Sequence, residues 1–234
     1  MKKKPKIEEN IWSGENKVMI IIGITNRKLC LDFHEQIRKI AKSKINYLIV
    51  REKDLESEEL LETVLKVKRE LENTDIKIII NSNEEVAERV NADGIQLSFK
   101  DFLGITEKFY TENLKSMKTA EDNFRFRWQK YKKYKIIGVS IHSFEEGIKA
   151  YNLGADYVIY GHVFETDCKK GVLPRGIKEI EKLSKEIDIP IIGLGGIDKS
   201  NFKEVINSGA GGIAIMSSLM KTESPEALIE EIIR

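Results

Sequence analysis

His162 stands where a β-branched, apolar run, Ala155-Asp156-Tyr157-Val158-Ile159-Tyr160, gives way to Gly161. An imidazole titrates near neutrality, so a histidine at a strand end can both take and return a proton. Lys169 and Lys170 follow close behind, and Gly171 and Gly176 bracket a segment able to fold over a ligand. The grouping predicts acid/base chemistry on a small anionic molecule. A lone histidine is also often structural, so its role depends on what the other strand ends supply.

Those ends are rich in polar groups. Arg51-Glu52-Lys53 closes the second apolar run. Arg51 offers a two-pronged fork and Lys53 a point charge for an anion, with a surface ion-pair cluster around Glu52 as the alternative. Asn81-Ser82-Asn83 closes the third run. Its short side chains suit a ligand or, just before Glu84 and Glu85, the cap of a helix. Gln96 interrupts an apolar run ahead of Leu97-Ser98, with Asp101 beyond, and reads equally as a pocket residue or a satisfied interior amide. His142 precedes Ser143-Phe144-Glu145-Glu146, the pattern of a capped helix start, and reads as a capping or surface residue, with a place at the pocket mouth as the alternative. Gly195, Gly196, Ser217 and Ser218 follow the last two runs. Glycines let backbone N–H groups approach a ligand, and a helix start adds more donors, so these four positions are expected to hold a phosphate. No cluster of His, Cys and carboxylates has metal-ligand spacing, so neither a metal nor another cofactor is expected.

The elements that must position these residues repeat along the chain. Short runs at 18–24, 47–51, 76–80, 94–97, 135–139, 156–160, 190–193 and 212–215 are continuously apolar, as strands buried on both faces are. Helical spacing fills the gaps at 60–71, 84–90, 145–153, 177–187 and 202–208. Asn91-Ala92-Asp93-Gly94, Gly154-Ala155-Asp156-Tyr157 and Gly209-Ala210-Gly211-Gly212 read as one repeated helix-to-strand turn. Eight alternating units in 234 residues predict a single (β/α)8 TIM barrel, with a doubly wound sheet as the alternative. Barrel chemistry gathers at the C-terminal strand ends, where the candidates lie. Residues 1–16 read as an N-terminal extension and 17–234 as the barrel, with an insertion around 104–134. In that insertion, Phe124-Arg125-Phe126-Arg127-Trp128 interleaves bases with aromatics. A wall or interface element is the simpler reading there than a nucleic-acid patch.

Bulk composition narrows the classes. Lys and Arg number 39 against 38 Asp and Glu, for a formal net charge of +1, so nothing calls for nucleic acid or a membrane surface. The run 18–22 is far too short to span a bilayer, and no apolar core follows the first lysines. Cys30 and Cys168 cannot form a disulfide framework and read as free thiols. The chain is expected in the cytoplasm.

Arg51-Glu52-Lys53, Ala92-Asp93-Gly94-Ile95, Gly138-Val139-Ser140, Gly195-Gly196-Ile197 and the Ser217 region together resemble the thiamin phosphate synthase/TenI superfamily from about residue 18 to residue 230. The loop from Gly161 to Gly171 looks like that of the TenI thiazole tautomerases. The synthases typically carry proline for His162, an Asn-Asp pair for Asn81-Ser82, glutamine for Ile49 and histidine for Gln96, while Asp101 matches their second magnesium aspartate. These departures favour the tautomerase. The resemblance then implies an isomerase without cofactor, in which His162 moves one proton across a non-aromatic thiazole phosphate carboxylate and leaves the aromatic ring. Arg51, Lys53, Asn81, Gln96 and Lys169 would surround the substrate, and a homodimer is implied. The alternatives are a magnesium-dependent thiamin phosphate synthase, or a non-catalytic regulatory protein that keeps the phosphate site.

Overall fold

The computed structural model describes residues 19–113 and 134–233. The expected extension and the basic-aromatic segment lie outside the described residues. Eight parallel strands close into a barrel in chain order, each paired with its sequence neighbours and the last with the first. They are β1 (Ile20–Ile24), β2 (Tyr47–Val50), β3 (Lys77–Asn81), β4 (Gly94–Ser98), β5 (Ile136–Ile141), β6 (Tyr157–Gly161), β7 (Ile191–Leu194) and β8 (Gly212–Ile215). The intervening helices are α1 (Phe33–Ile40), α2 (Ser57–Glu70), α3 (Glu84–Arg89), α4 (Phe99–Asn113), α5 (Phe144–Asn152), α6 (Lys178–Glu186) and α7 (Phe202–Asn207). Two more, α8 (Ser217–Lys221) and α9 (Pro225–Ile233), follow β8. The TIM barrel predicted from the alternating pattern is what the chain forms.

Strand periodicity divides the apolar residues into two layers. Leu48, Val50, Ile78, Ile80, Ile95, Leu97, Ile137, Val139, Val158 and Tyr160 point outward and pack against the helices. Ile20, Ile22, Tyr47, Ile49, Ile79, Ile136, Tyr157, Ile159 and Ile192 fill the barrel interior. Helices present matching stripes, as α2 does with buried Leu60, Leu61, Val64 and Val67. Caps set their starts. Asp32 accepts from the Glu35 N–H at 2.9 Å, Asn83 from Val86 at 2.9 Å and Ser143 from Glu146 at 3.2 Å.

Strand boundaries differ from the sequence pattern where the backbone ladder decides them. The third strand begins at Lys77 rather than Ile76 and reaches Asn81, which pairs with Gln96. The fifth continues past Val139 because Ser140 pairs with Ser98 in the ladder. Polar side chains do not end a strand whose backbone still has a partner.

Candidate functional site

The same parity carries polar residues to the interior side of the C-terminal rim. Tyr47 and Ile49 face inward on β2, so Arg51 follows them. Asn81 follows Ile79, Ser98 follows Gln96, and Ser140 follows Ile136 and Gly138. Arg51, Asn81, Ser98 and Ser140 are all half-buried there. Neither Arg51 nor Lys53 has an ion pair with a described residue, and Lys53 is exposed.

Glu52, between those cations, does something other than pair with them. It is buried and accepts from the Thr25 hydroxyl at 2.7 Å and from the Arg27 N–H at 3.1 and 3.0 Å. The Arg51 N–H donates to Thr25 Oγ1 at 2.9 Å. The loop after β1 is thereby fastened to the end of β2, which aims Arg51. Arg27 then forks onto Asp54 at 2.7 and 2.9 Å, and with Lys28 holds that carboxyl well below the usual range. Sequence reading passed over this frame. Its one signal was Thr25, a polar residue closing an apolar strand.

Gln96 is 2% exposed and lies one layer below the rim. Its Oε1 accepts from the Tyr157 hydroxyl at 2.6 Å, and its Nε2 donates to Ser140 Oγ at 2.9 Å. Gly138 sits between Gln96 and Tyr157 in the ladder, and a side chain there would collide with both. On β3, Asn83 caps α3, while Ser82 adopts a left-handed φ of 59° and receives a hydrogen bond from Asn81 Nδ2 at 3.1 Å.

His162 is 7% exposed, covered by the 165–176 segment. Its Nε2 donates to the Val172 carbonyl at 3.2 Å. Arg175 N and Gly176 N donate back to the carbonyls of His162 and Val163, each at 3.0 Å. His142 is exposed and serves as a brace: its Nδ1 donates to the Gly161 carbonyl at 2.9 Å, and its own carbonyl accepts from Arg175 Nη1 at 3.0 Å. Lys169 and Lys170 are exposed, and Cys168 Sγ lies 3.1 Å from Ser217 Oγ. The segment thus reaches from the end of β6 to the start of α8.

Gly195 and Gly196 take φ values of 99° and 66°, which only glycine adopts freely. They also admit the neighbouring loop, since a Cβ on Gly195 would strike His162 and one on Gly196 would strike Phe164 and Glu165. Among the described residues, no hydrogen bond outside the helices and strands is donated by the amides of Gly195, Gly196, Ser217 or Ser218. Gln36, buried in α1, donates to the carbonyls of Leu219 at 2.7 Å and Thr222 at 3.1 Å, fixing α8 from its far end. Sequence reading missed Gln36 because a single amide in a charged helix carries no local signal.

Magnesium favours oxygen ligands and leans on one or two carboxylates together with substrate phosphates. Asp101, exposed and bonded to the Ser98 hydroxyl at 2.7 Å, is one such group; Asn81 and Ser82 are neutral. Among the described residues no group of three or more His, Cys, Asp or Glu is placed to hold a metal. This donor set does not fit a divalent ion held by the protein.

The profile of the family described as thiamine monophosphate synthase matches residues 21–106 and 121–219. A thiamine-phosphate synthase of Clostridium acetobutylicum is 28% identical over 202 residues, 86% of each chain. One from Clostridium botulinum is 31% identical over 191 residues, covering 79% of this chain and 83% of that one. The solved thiamine phosphate pyrophosphorylase of Pyrococcus furiosus superposes with a TM-score of 0.71 at 27% identity, covering 93% and 94% of the two chains. These findings overturn the isomerase expected from the 161–171 loop, because the relatives are named as synthases, which are transferases. They also correct the weight given to Ile49, Ser82 and Gln96, departures too few to outweigh likeness along most of the chain.

Proposed function

Because the chain belongs to the thiamine monophosphate synthase family, we propose that it is a transferase of thiamine biosynthesis joining a pyrimidine pyrophosphate to a thiazole phosphate. The observation that carries this reading is the 31% identity, over 79% of the chain, to a thiamine-phosphate synthase. The likeness of the 161–171 loop to the TenI branch is then a likeness of one segment within a synthase-like chain.

The chemistry asked of the site is a substitution. The thiazole nitrogen forms a bond to the carbon bearing the pyrophosphate, the C–O bond breaks, and the departing oxygen keeps the electron pair. The nitrogen has no proton to lose, so a general base is not required. The demand is for cations around the leaving group and for alignment of two bound rings. Arg51, Lys53 and Lys169 supply the cations. The amides of Gly195, Gly196, Ser217 and Ser218, with the start of α8, supply donors for the thiazole phosphate. Asn81 and the layer built on Gln96 border the rings, and His162 holds the 165–176 segment in place through Val172.

The test is to incubate the full chain with both substrates in magnesium-containing buffer and quantify thiamine phosphate and pyrophosphate. One pyrophosphate per thiamine phosphate formed is the expected result. Neither product forming, while the folded protein binds thiazole phosphate, would contradict the reading.

A further inference from the structure

We infer that the C-terminal rim takes a pyrophosphate group free of metal: side-chain cations neutralise it, and magnesium carried on the anion adds nothing to its binding. The inference rests on the proposed reading that this rim receives a pyrophosphate, but not on the coupling reaction itself.

The carboxylates of the rim loops are already engaged. Glu52 is buried and takes its hydrogen bonds from the Thr25 hydroxyl and the Arg27 N–H. Asp54 is held by Arg27 at 2.7 Å and by Lys28 at 2.9 Å. Asp101 serves the start of α4. Ser98 Oγ accepts from its N–H at 3.1 Å and donates to its Oδ2 at 2.7 Å, which closes the first turn of that helix. At the end of β3 both Asn81 and Ser82 are neutral, and the Ser82 hydroxyl accepts from Asn81 Nδ2 at 3.1 Å. Glu165 and Asp167 share their segment with Lys169, Lys170 and Arg175, so it brings no net acid. The cations are in the opposite state: among the described residues, Arg51, Lys53 and Lys169 make no ion pair. Magnesium strengthens the binding of an anion when the protein offers carboxylates to the ion's remaining positions. Here its double positive charge would meet guanidinium and ammonium groups, and it would cancel the charge by which they attract the anion. The uncomplexed group is the better match.

The experiment is calorimetric titration of the full chain with inorganic pyrophosphate, once in chelator and once with magnesium in excess, beside a titration with magnesium alone. Binding at least as tight in chelator, and no saturable binding of magnesium alone, are expected. Tighter binding with magnesium, or saturable binding of the ion by itself, would overturn the inference. Ser82 gives a second route. It is exposed with a left-handed φ of 59°, a conformation that Asp and Asn tolerate well, and β3 lies next to the strand that leads to Asp101. Ser82→Asp should weaken binding in chelator about 3- to 10-fold, the scale of one like charge near the surface, and magnesium should restore it. Ser82→Asn, neutral and equally suited to the turn, should behave as wild type in both buffers. A Ser82→Asp variant as indifferent to magnesium as wild type would show that a missing carboxylate is not the reason, and would overturn the argument. Wild-type protein that binds pyrophosphate in neither buffer would instead overturn the reading that this rim receives a pyrophosphate.

Discussion

The two rims of the barrel carry similar polar residues and use them differently. At the N-terminal rim, Asp93 accepts from the Ile78 N–H at 3.0 Å and Asp156 from the Ile137 N–H at 2.7 Å. Each carboxylate closes a helix-to-strand turn and is absorbed by the backbone beside it. At the C-terminal rim, Glu52 is absorbed in this way, and its work is to aim its neighbour. Arg51 and Lys53 keep their charge unpaired among the described residues, and the glycine and serine amides keep their donors. Residue type therefore does not mark function in this fold. What marks it is hydrogen-bonding capacity left over after the backbone has been satisfied.

The largest expected effect lies between the rims. Gly138→Val would force a side chain into Gln96 and Tyr157, so a loss of about 3 kcal/mol or more, or failure to fold, is expected in thermal or denaturant melts. A near-wild-type melt would mean that the layer supporting the C-terminal rim is not tightly built. Next comes Arg51→Ala, which should lower pyrophosphate affinity about 10- to 100-fold while the melting temperature holds, because a charge-assisted hydrogen bond contributes about 1.5–3 kcal/mol. Loss of stability with unchanged affinity would place Arg51 with the structural residues instead. Asp93→Ala should do the reverse: about 1–3 kcal/mol of stability lost through an orphaned buried N–H, with affinity untouched.

A pH-dependent effect concerns Asp156, whose carboxyl burial pushes up to about 7. Its unfolded value is near 3.9. The folded state holds the proton more tightly, so this group's contribution to stability is full below about pH 4 and is lost as pH rises toward 7. Asp156→Asn keeps an acceptor for Ile137 and removes the charge, so it should flatten the decline in melting temperature across that window. A profile parallel to wild type would show that the buried carboxyl is not what titrates.

Sequence periodicity was enough to find the barrel, because strands buried on both faces read as unbroken apolar runs and each returned at a similar interval. It did not find α1, whose buried side chains are only Gln36, Ile37 and Ile40, nor α9, which follows the last strand. The candidate residues were readable where a polar group or glycine stands at a strand end, as at Arg51, Asn81 and Gly195. They were not readable where the partner is distant in sequence. Glu52 is held by Thr25, Gln96 by Tyr157 and α8 by Gln36, across 27, 61 and 183 residues. His162 is a different case. Its position suggested a catalyst, yet the structure has it buried and bonded to the Val172 carbonyl.

The most direct test of the difference between the rims is a titration of isotope-labelled protein with inorganic pyrophosphate, followed by backbone amide resonances. The account predicts saturable shifts at Gly195, Gly196, Ser217, Ser218 and around Arg51, with those around Asp93 and Asp156 unmoved. Shifts centred instead on the N-terminal rim, in the cavity of about 310 Å³ beside Lys68, Arg69 and Asn91, would contradict it.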